Sequence, residues 1–264
     1  MSVGGLNMKG NLSVQDVTLT YGKGDKRVLA LDGISFEVKP NEFTVIVGPS
    51  GCGKSSLLYI AAGLIDATSG SILASGKRVE EPGGDRGMVF QSYTLFPWLT
   101  VRQNVEYGPR RKGLPQAERT TIVDHYLGEV GLTAFAEHYP KQLSGGMMQR
   151  VAIARALAND PDILLMDEPF GALDSQTRHT MQKLLLRVWE HSHTTVAFVT
   201  HDIDEAILLG DRVIVMTARP GKLKADIRID IPRPRNPDVE LEPDFIALKR
   251  RILNELRDEI DEDH

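Results

Sequence analysis

The chain has a single cysteine, Cys52, among its 264 residues, so no disulfide can form within it. That composition suits a reducing compartment such as the cytoplasm. The chain also lacks a long apolar run, because its longest nearly apolar stretch, residues 57–65, is far shorter than the ~20 residues that a membrane span needs. The N-terminal sequence lacks the charged start and the following apolar segment that are typical of a signal peptide, so we predict none. We therefore expect a soluble chain that reaches any membrane through a partner.

Basic charge is not in excess either. The 31 Lys and Arg residues are outnumbered by 36 Asp and Glu residues, which gives a net charge of -5. Without a global positive field, we expect no nucleic-acid partner. Apolar residues make up 41% of the chain, enough for a substantial core, and the length fits one large domain or a domain with two lobes.

A phosphate-binding loop is the clearest motif present. The pattern G-x-x-x-x-G-K-[ST] is met by Gly48, Pro49, Ser50, Gly51, Cys52, Gly53, Lys54 and Ser55. An apolar run, 43–47, precedes the loop and a predicted helix follows it from Ser56, which is the context that the motif requires. The glycines allow backbone N–H groups to point at phosphate oxygens, and the helix N-terminus adds a partial positive charge. We predict that Lys54 binds the β- and γ-phosphates of a nucleotide and that the Ser55 hydroxyl is a Mg²⁺ ligand.

Further motifs follow the loop in a characteristic order. They are Gln91, the signature segment 143–150 with Ser144, Gly145 and Gly146, the apolar run 163–166 with Asp167 and Glu168, the triplet ending at Asp174, and Thr200-His201-Asp202. From about residue 11 to about residue 220, the chain resembles the ATP-binding cassette (ABC) ATPases. The sequence Leu-Ser-Gly-Gly distinguishes that family among proteins with a phosphate-binding loop.

The resemblance implies an α/β fold, with a P-loop NTPase (RecA-like) core, an antiparallel β subdomain and an inserted helical subdomain. Apolar patterns agree: they predict short strands at 12–14, 17–20 and 34–38, central parallel strands at 163–166 and 195–199, and helices at 117–130, 144–158 and 175–191. We predict a nucleotide-binding domain at 11–230, with its helical subdomain at about 92–160, and a C-terminal linker and charged helix at 231–264.

The predicted C-terminal helix, 242–259, carries its apolar residues on one face. They are Phe245, Leu248, Ile252, Leu253, Leu256 and Ile260. This face either packs on the chain's own domain, which we favour, or contacts a partner subunit.

A carboxylate after an apolar strand either caps the strand end or binds Mg²⁺. Because a phosphate-binding loop is present, we predict that Asp167 holds Mg²⁺ opposite Ser55. The resemblance implies that Glu168 is the general base that polarises the attacking water. It further implies that His201 binds the γ-phosphate and the lytic water, and that Gln91 binds Mg²⁺ or that water.

The resemblance also assigns the remaining nucleotide contacts, with ATP and Mg²⁺ as cofactors. Tyr21 stacks on adenine, with core packing as the competing interpretation. The N–H groups and hydroxyl of Ser144, Gly145 and Gly146 form a second anion site, for the γ-phosphate bound by another subunit. This implies a head-to-tail dimer of identical or paralogous ATPases with Asp174 across the interface. Ser56 completes the phosphate-binding segment, and Cys52 within it is either a reactive thiol or, as we favour, a packing residue.

An aromatic segment, 96–101, resembles the part of importer ATPases that grips a membrane subunit. Together with 83–91, 104–105 and 167–174, it is similar to the nitrate, sulfonate, taurine and bicarbonate importers. We expect an ATPase subunit at the cytoplasmic face of the inner membrane, with two transmembrane permease subunits and, through them, a solute-binding protein. A lipid transporter or exporter ATPase is the alternative, whereas a DNA-repair or translation ATPase would need a coiled-coil insertion, a second cassette or basic patches. The sequence does not name the solute.

Overall fold

The computed structural model describes residues 10–192 and 194–260. The strands are β1 (Leu12–Tyr21), β2 (Val28–Val38), β3 (Phe43–Val47), β4 (Ser69–Ala74), β5 (Lys77–Arg78), β6 (Arg86–Val89), β7 (Ile163–Asp167), β8 (Thr195–Val199), β9 (Arg212–Met216) and β10 (Leu223–Arg228). The helices are α1 (Lys54–Ala62), α2 (Val101–Arg111), α3 (Gln116–Glu129), α4 (Gly145–Ala158), α5 (Ser175–Ser192), α6 (Ile203–Leu209) and α7 (Pro243–Ile260). The chain divides into two compact units, one formed by 1–83 with 193–264 and the other by 84–192.

An antiparallel sheet in the first unit has the strand order β2-β1-β4-β5. The sequence predicted two separate strands at 12–14 and 17–20, but both lie in the single strand β1. At Asp16 the backbone takes a φ of 49°, and the register with β2 shifts between Val14 and Val17. The Asp16 N–H donates to the Ser35 hydroxyl at 2.9 Å. This irregularity interrupts the apolar alternation without ending the strand, which explains the difference.

The first unit contains a second group of paired strands, most of which are parallel. Strand β3 lies between β8 and β9 and is parallel to both, while β10 is antiparallel to β9. Every residue of β3 and β8 is buried, as the continuous apolar runs predicted. Parallel neighbours end at the same edge of a sheet, so the loop after β3 and the segment after β8 both begin at that edge.

Two contacts fix the C-terminal segment to the first unit. Helix α7 packs against α6 and buries Phe245 and Ile252, in agreement with the favoured interpretation of its apolar face. Lys249 of α7 makes a 2.7 Å ion pair with Asp204 of α6. The side chain of Ile260 lies outside the described part of the chain.

Arg235 ties the proline-rich stretch before α7 to the end of α6. The residue is only 7% exposed. It donates to the carbonyl oxygens of Ile207, Leu208, Gly210, Ile229 and Ile231. Burial and the neighbouring Arg233 lower the pKa of Arg235 to about 10. The stretch predicted as an extended linker is therefore held in place.

The second unit contains the parallel pair β6 and β7 and the helices α2 to α5. Helices α2, α3 and α4 surround an apolar cluster of Val101, Val105, Val123, Leu127, Val151 and Ala154, among others. The observed bounds of α3, α4 and α5 differ by one residue at most from the predicted ones at each end. The α/β fold class is confirmed, whereas the predicted domain boundaries stay a prediction.

Across 10–192 and 194–260, no helix is both long enough and apolar enough to span a lipid bilayer.

Candidate nucleotide-binding site

The phosphate-binding loop connects β3 to α1 and curves around the side chain of Lys54. Lys54 is 5% exposed, and its Nζ donates to the carbonyl oxygens of Gly48 and Pro49, both at 2.8 Å. Gly51 and Gly53 have φ values of 78° and 100°, in the left-handed region that glycine tolerates best. The ammonium group is therefore held inside the loop, close to the backbone that would bind phosphate.

Close packing explains why this loop requires glycine at its end. A Cβ on Gly53 would lie 2.6 Å from Cδ2 of Leu31, which no real contact permits. Cys52 is 1% exposed, and its Sγ lies 3.8 Å from Nζ of Lys54. Burial raises the pKa of the Cys52 thiol, so the reactive thiolate is disfavoured. Both observations support the packing interpretation of Cys52.

Tyr21 lies beside the start of α1. Its hydroxyl donates to Oγ of Ser56 at 3.0 Å, and 46% of the residue is exposed. A ring that is nearly half exposed next to the phosphate-binding helix does not fit the competing prediction of a core residue. The ring remains available for stacking on a planar base.

His201 lies between the end of β8 and the start of α6. The Thr200 N–H donates to the carbonyl of Ile46 in β3, which ties this segment to the strand that leads into the phosphate-binding loop. Asp202 caps α6, because its Oδ1 accepts from the Glu205 N–H at 3.1 Å. His201 itself is exposed, at the sheet edge where the loop begins.

In the second unit, Gln91 lies just after β6 and Asp167 is the last residue of the neighbouring strand β7. The register of β6 and β7 pairs Val89 with Met166, so both residues lie at the carboxyl edge of this parallel pair. Asp167 is 2% exposed, whereas Gln91 is exposed. Amide and carboxylate oxygens thus share one edge of the sheet.

Glu168 adopts a strained backbone conformation. Its φ is 41°, which is uncommon for residues other than glycine and costs about 1–3 kcal/mol. The Gly171 N–H donates to the Glu168 carbonyl at 3.1 Å and closes the turn. A Cβ on Gly171 would lie 3.6 Å from Oε2 of Glu168, so the side chain folds back over this turn. Strain of this kind is concentrated at functional sites.

The signature segment opens α4. Ser144 is exposed and is the N-cap, with its Oγ accepting from the Met147 N–H at 3.3 Å. A Cβ on Gly145 would lie 2.7 Å from the Tyr93 hydroxyl, and one on Gly146 would lie 2.7 Å from Cγ2 of Thr177. The two glycines are therefore required by close packing on both sides of the helix start.

Asp174 precedes α5 and caps its first turn. Its Oδ1 accepts from the Thr177 N–H at 3.0 Å. Hydrogen bonds from the Thr177 side chain and then from its backbone N–H lower the pKa of the carboxyl. Thr177 also contacts Gly146, so the same threonine touches the start of α4 and the cap of α5. Asp174 is exposed and ionised at neutral pH, which suits a polar contact at a surface.

Comparison with known proteins settles the family. The ABC transporter family matches residues 31–171, more than half of the chain. This chain belongs to that family. It is an ABC ATPase: it binds ATP and hydrolyses it to power transport.

Several relatives match this ABC ATPase over nearly its whole length. An uncharacterized ABC transporter ATP-binding protein of Methanocaldococcus jannaschii is 52% identical, over 96% of this chain and 94% of its own. A nitrate import ATP-binding protein of Synechocystis is 45% identical, over 94% of this chain and 95% of its own. A taurine import ATP-binding protein of Roseobacter denitrificans is 44% identical, over 94% of each.

A solved cassette confirms the fold of this ABC ATPase. It is a dimeric ATP-binding cassette in a post-hydrolysis state, bound to ADP and phosphate. It is 36% identical, with a TM-score of 0.74, and the match covers 83% of this chain and 99% of that one.

Met147 stands where many ABC ATPases carry Gln in the signature sequence. Its side chain is partly buried and packs against the apolar cluster of the helical region. The groups available to an anion at this helix start are the Ser144 hydroxyl and the backbone N–H groups, which this substitution leaves unchanged.

Arg219 of this ABC ATPase lies at the phosphate-binding loop, although no motif pointed to it. Its Nε and Nη2 donate to the Gly51 carbonyl at 3.3 Å and 3.2 Å. In the same turn, a Cβ on Gly221 would lie 2.1 Å from the Cys52 carbonyl oxygen. The turn after β9 therefore packs directly on the loop. The available sequence signal was an Arg-Pro-Gly triplet just after an apolar strand.

Three aromatic rings cluster in the second unit, with Trp98 and Tyr107 exposed and Phe96 partly buried, and we call these three residues the aromatic patch. The Phe96 ring centroid is 5.7 Å from that of Trp98 and 4.6 Å from that of Tyr107. Trp98 is 70% exposed, so it is not a core residue. The patch follows Gln91 closely in the sequence of this ABC ATPase.

Proposed function

We propose that this ABC ATPase powers the uptake of a small anion through two separate permease subunits. One observation carries the proposal: the aromatic patch exposes a tryptophan, with 70% of its surface open, in the unit that also contains the signature segment. Exposed aromatic rings are typical anchors of protein interfaces. The nitrate and taurine import proteins among the relatives support the anion class.

ATP binding rests on the phosphate-binding loop. Backbone N–H groups of 48–55 and the Lys54 ammonium bind the phosphates, and Tyr21 stacks on adenine. The residues proposed to hold Mg²⁺ are Ser55, Asp167 and Gln91. They offer hydroxyl, carboxylate and amide oxygens, the hard ligands that Mg²⁺ prefers. Bound Mg²⁺ would neutralise charge on the β- and γ-phosphates.

Hydrolysis requires a base and a γ-phosphate contact. In our proposal the Glu168 carboxylate accepts a proton from water as the water oxygen attacks the γ-phosphorus, and the bond from phosphorus to ADP breaks. His201 hydrogen-bonds the γ-phosphate and orients the water. The strained turn at Glu168 constrains the backbone that carries this carboxylate.

A second ATPase subunit completes each site. We propose that Ser144, Gly145 and Gly146 of one subunit bind the γ-phosphate held by the other, with Asp174 at the same interface. The dimeric state of the solved cassette supports this arrangement. The second subunit is either an identical copy or a paralogue.

The assembly places this subunit at the cytoplasmic face of the inner membrane, where the permease subunits hold it. A periplasmic or extracellular solute-binding protein delivers the anion to the permease. Nitrate, sulfonate, taurine and bicarbonate are the solute classes that we propose, since relatives named for nitrate and taurine match with nearly equal identity.

Vesicle transport tests the proposal. The ATPase and the permease from the neighbouring genes are reconstituted with the solute-binding protein, and uptake of labelled nitrate, taurine and bicarbonate is measured with ATP. We expect ATP-dependent uptake of one anion, abolished by Glu168→Gln. ATP-dependent movement of lipid, or movement in the export direction only, contradicts the importer assignment.

A further inference from the structure

Arg155 joins the signature helix to the segment that carries the aromatic patch. It lies in the last turn of α4, and its Nη1 donates to the Thr94 carbonyl at 2.8 Å while Nη2 donates to the Thr94 hydroxyl at 3.1 Å. Ser144 caps the opposite end of the same helix, roughly 16 Å away at about 1.5 Å per residue. One rigid element therefore carries the proposed phosphate contact and this arginine.

The same guanidinium stacks on the patch. Its Cζ lies 5.3 Å from the centroid of the Phe96 ring, within the range of a cation–π contact. Phe96 in turn contacts the rings of Trp98 and Tyr107. Thr94, between Tyr93 and this cluster, has a φ of 45°, a strained value for a β-branched residue that its surroundings must hold.

A second anchor attaches the patch to α2. Asn104 is fully buried, accepts from the Phe96 N–H at 2.9 Å, and donates to the carbonyl oxygens of Phe96, Leu99 and Thr100. This anchor fixes the backbone of the segment to α2, which itself packs against α4. Arg155 adds a direct side-chain connection from the segment to the last turn of α4.

The segment also reaches the other end of α4. A Cβ on Gly145 would lie only 2.7 Å from the Tyr93 hydroxyl. Residues 93–96 thus touch the first turn of the signature helix through Tyr93 and its last turn through Arg155. A segment held at both ends of a helix moves with that helix.

We propose that Arg155 is a positioning residue that locks the aromatic patch to the signature helix, so that displacement of the helix by ATP reaches the permease contact. This inference rests on the proposed function. A planar guanidinium is needed, because it forms two hydrogen bonds to one residue and stacks on a ring at the same time, which a lysine ammonium does not. Burial lowers the pKa of Arg155, so the contacts hold the guanidinium against a desolvation cost.

The first test measures the lock itself in the full-length ATPase. The chain has two tryptophans, so Trp189→Phe leaves Trp98 as the only one. In this background, time-resolved fluorescence anisotropy reports the fast motion of Trp98. We expect Arg155→Lys to raise the amplitude of fast motion at least about two-fold, because the bidentate and stacking contacts are lost. Thr94→Val, which removes one hydrogen bond, should give a smaller rise.

Arg102→Lys is the matched control. Arg102 lies on α2 in the same unit and pairs with Asp124 and Glu137 on the surface. The same chemical change there should leave Trp98 motion unchanged. Equal Trp98 motion in the parent, Arg155→Lys and Thr94→Val proteins overturns the lock.

The second test measures transmission in the complete transporter. We expect Arg155→Lys to lower solute moved per ATP hydrolysed at least roughly five-fold, while the ATP affinity of the isolated ATPase stays within about two-fold, since its contacts lie outside the phosphate-binding loop. The proposed transmission is contradicted if Arg155→Lys increases the motion of Trp98 but leaves the solute moved per ATP hydrolysed unchanged. If the parent transporter moves no solute, the proposed function fails, and the anisotropy result still decides whether Arg155 locks the patch.

Discussion

At the scale of single residues, Glu168 and Lys54 should separate hydrolysis from binding. We expect Glu168→Gln to lower steady-state phosphate release by ~10²–10⁴-fold, because the amide cannot accept a proton, while ATP still binds. Lys54→Ala should instead weaken ATP binding, measured by calorimetry, because the ammonium inside the loop is lost. Near-normal turnover of Glu168→Gln, or unchanged affinity in Lys54→Ala, contradicts these roles.

Arg219 permits a finer test of the phosphate-binding loop. We expect Arg219→Ala to raise the KM for ATP roughly 2–5-fold with little change in kcat, because its long, exposed hydrogen bonds steady Gly51 and contribute about 0.5–1 kcal/mol. Arg228→Ala is the control. Arg228 is also an exposed arginine, on β10, and its partner is Asp230. A lowered kcat at unchanged KM in Arg219→Ala argues against the positioning role.

The site residues that could be predicted from the sequence lie within local motifs, whereas those that could not have partners far away along the chain. The loop 48–55 and Ser144 carry their chemistry in their immediate neighbours, so a motif identifies them. Arg219 meets Gly51 across 168 positions, and Arg155 meets Thr94 across 61. Such pairs form only when the chain has folded, and the sequence next to each arginine does not predict which residue it contacts.

At the scale of elements, replacing a glycine by alanine should change the stability of the protein in opposite directions in helices α4 and α3. We expect Gly146→Ala in α4 to lower the free energy of unfolding by about 1–3 kcal/mol, because the new Cβ meets Cγ2 of Thr177 at 2.7 Å. Gly128→Ala in α3 meets nothing within 4 Å and should raise it by up to about 1 kcal/mol. Denaturant unfolding measures both. Equal effects of the two substitutions contradict the packing at the signature helix.

Element boundaries could be predicted most closely where the local sequence pattern was unbroken. Strands β3 and β8 are continuous buried apolar runs, and the predicted bounds of these strands and of helices α3, α4 and α5 lie close to the observed ones. Strand β1 was not predicted as one strand, since the irregularity at Asp16 hid its continuity. A short aromatic run by itself fits a core or a surface equally well, and only the resemblance to importer ATPases predicted the surface position in which Trp98 is found.

At the scale of the whole molecule, ATP should act as the link between two ATPase subunits. We expect Glu168→Gln protein to form dimers with ATP and to remain monomeric without it, because each γ-phosphate is bound from both sides. Adding Ser144→Arg should prevent the dimer by filling the second anion site. Analytical ultracentrifugation measures both states. The proposed arrangement is wrong if the Glu168→Gln sedimentation profile is the same with and without ATP.

Substitutions of the two tryptophans should separate the role of an exposed contact residue from that of a core residue. Trp98 is 70% exposed, whereas Trp189 in α5 is 7% exposed. We expect Trp189→Ala to cost ~3–5 kcal/mol of stability, seen as a large fall in melting temperature. Trp98→Ala should leave the melting temperature nearly unchanged, because the ring leaves no cavity.

The functional effects of the Trp98 substitution should appear only in the assembly. We expect Trp98→Ala to weaken binding to the permease or to uncouple transport, since an exposed aromatic anchor is lost at a contact that moves as a rigid body. Hydrolysis by the isolated subunit should stay within a few-fold of normal, because the aromatic patch contributes no group to the phosphate-binding loop. Pull-down of the permease, uptake into vesicles and phosphate release measure these quantities separately. A lowered melting temperature together with intact transport assigns Trp98 to the structure of the unit, and the surface that couples ATP to the membrane must then lie elsewhere.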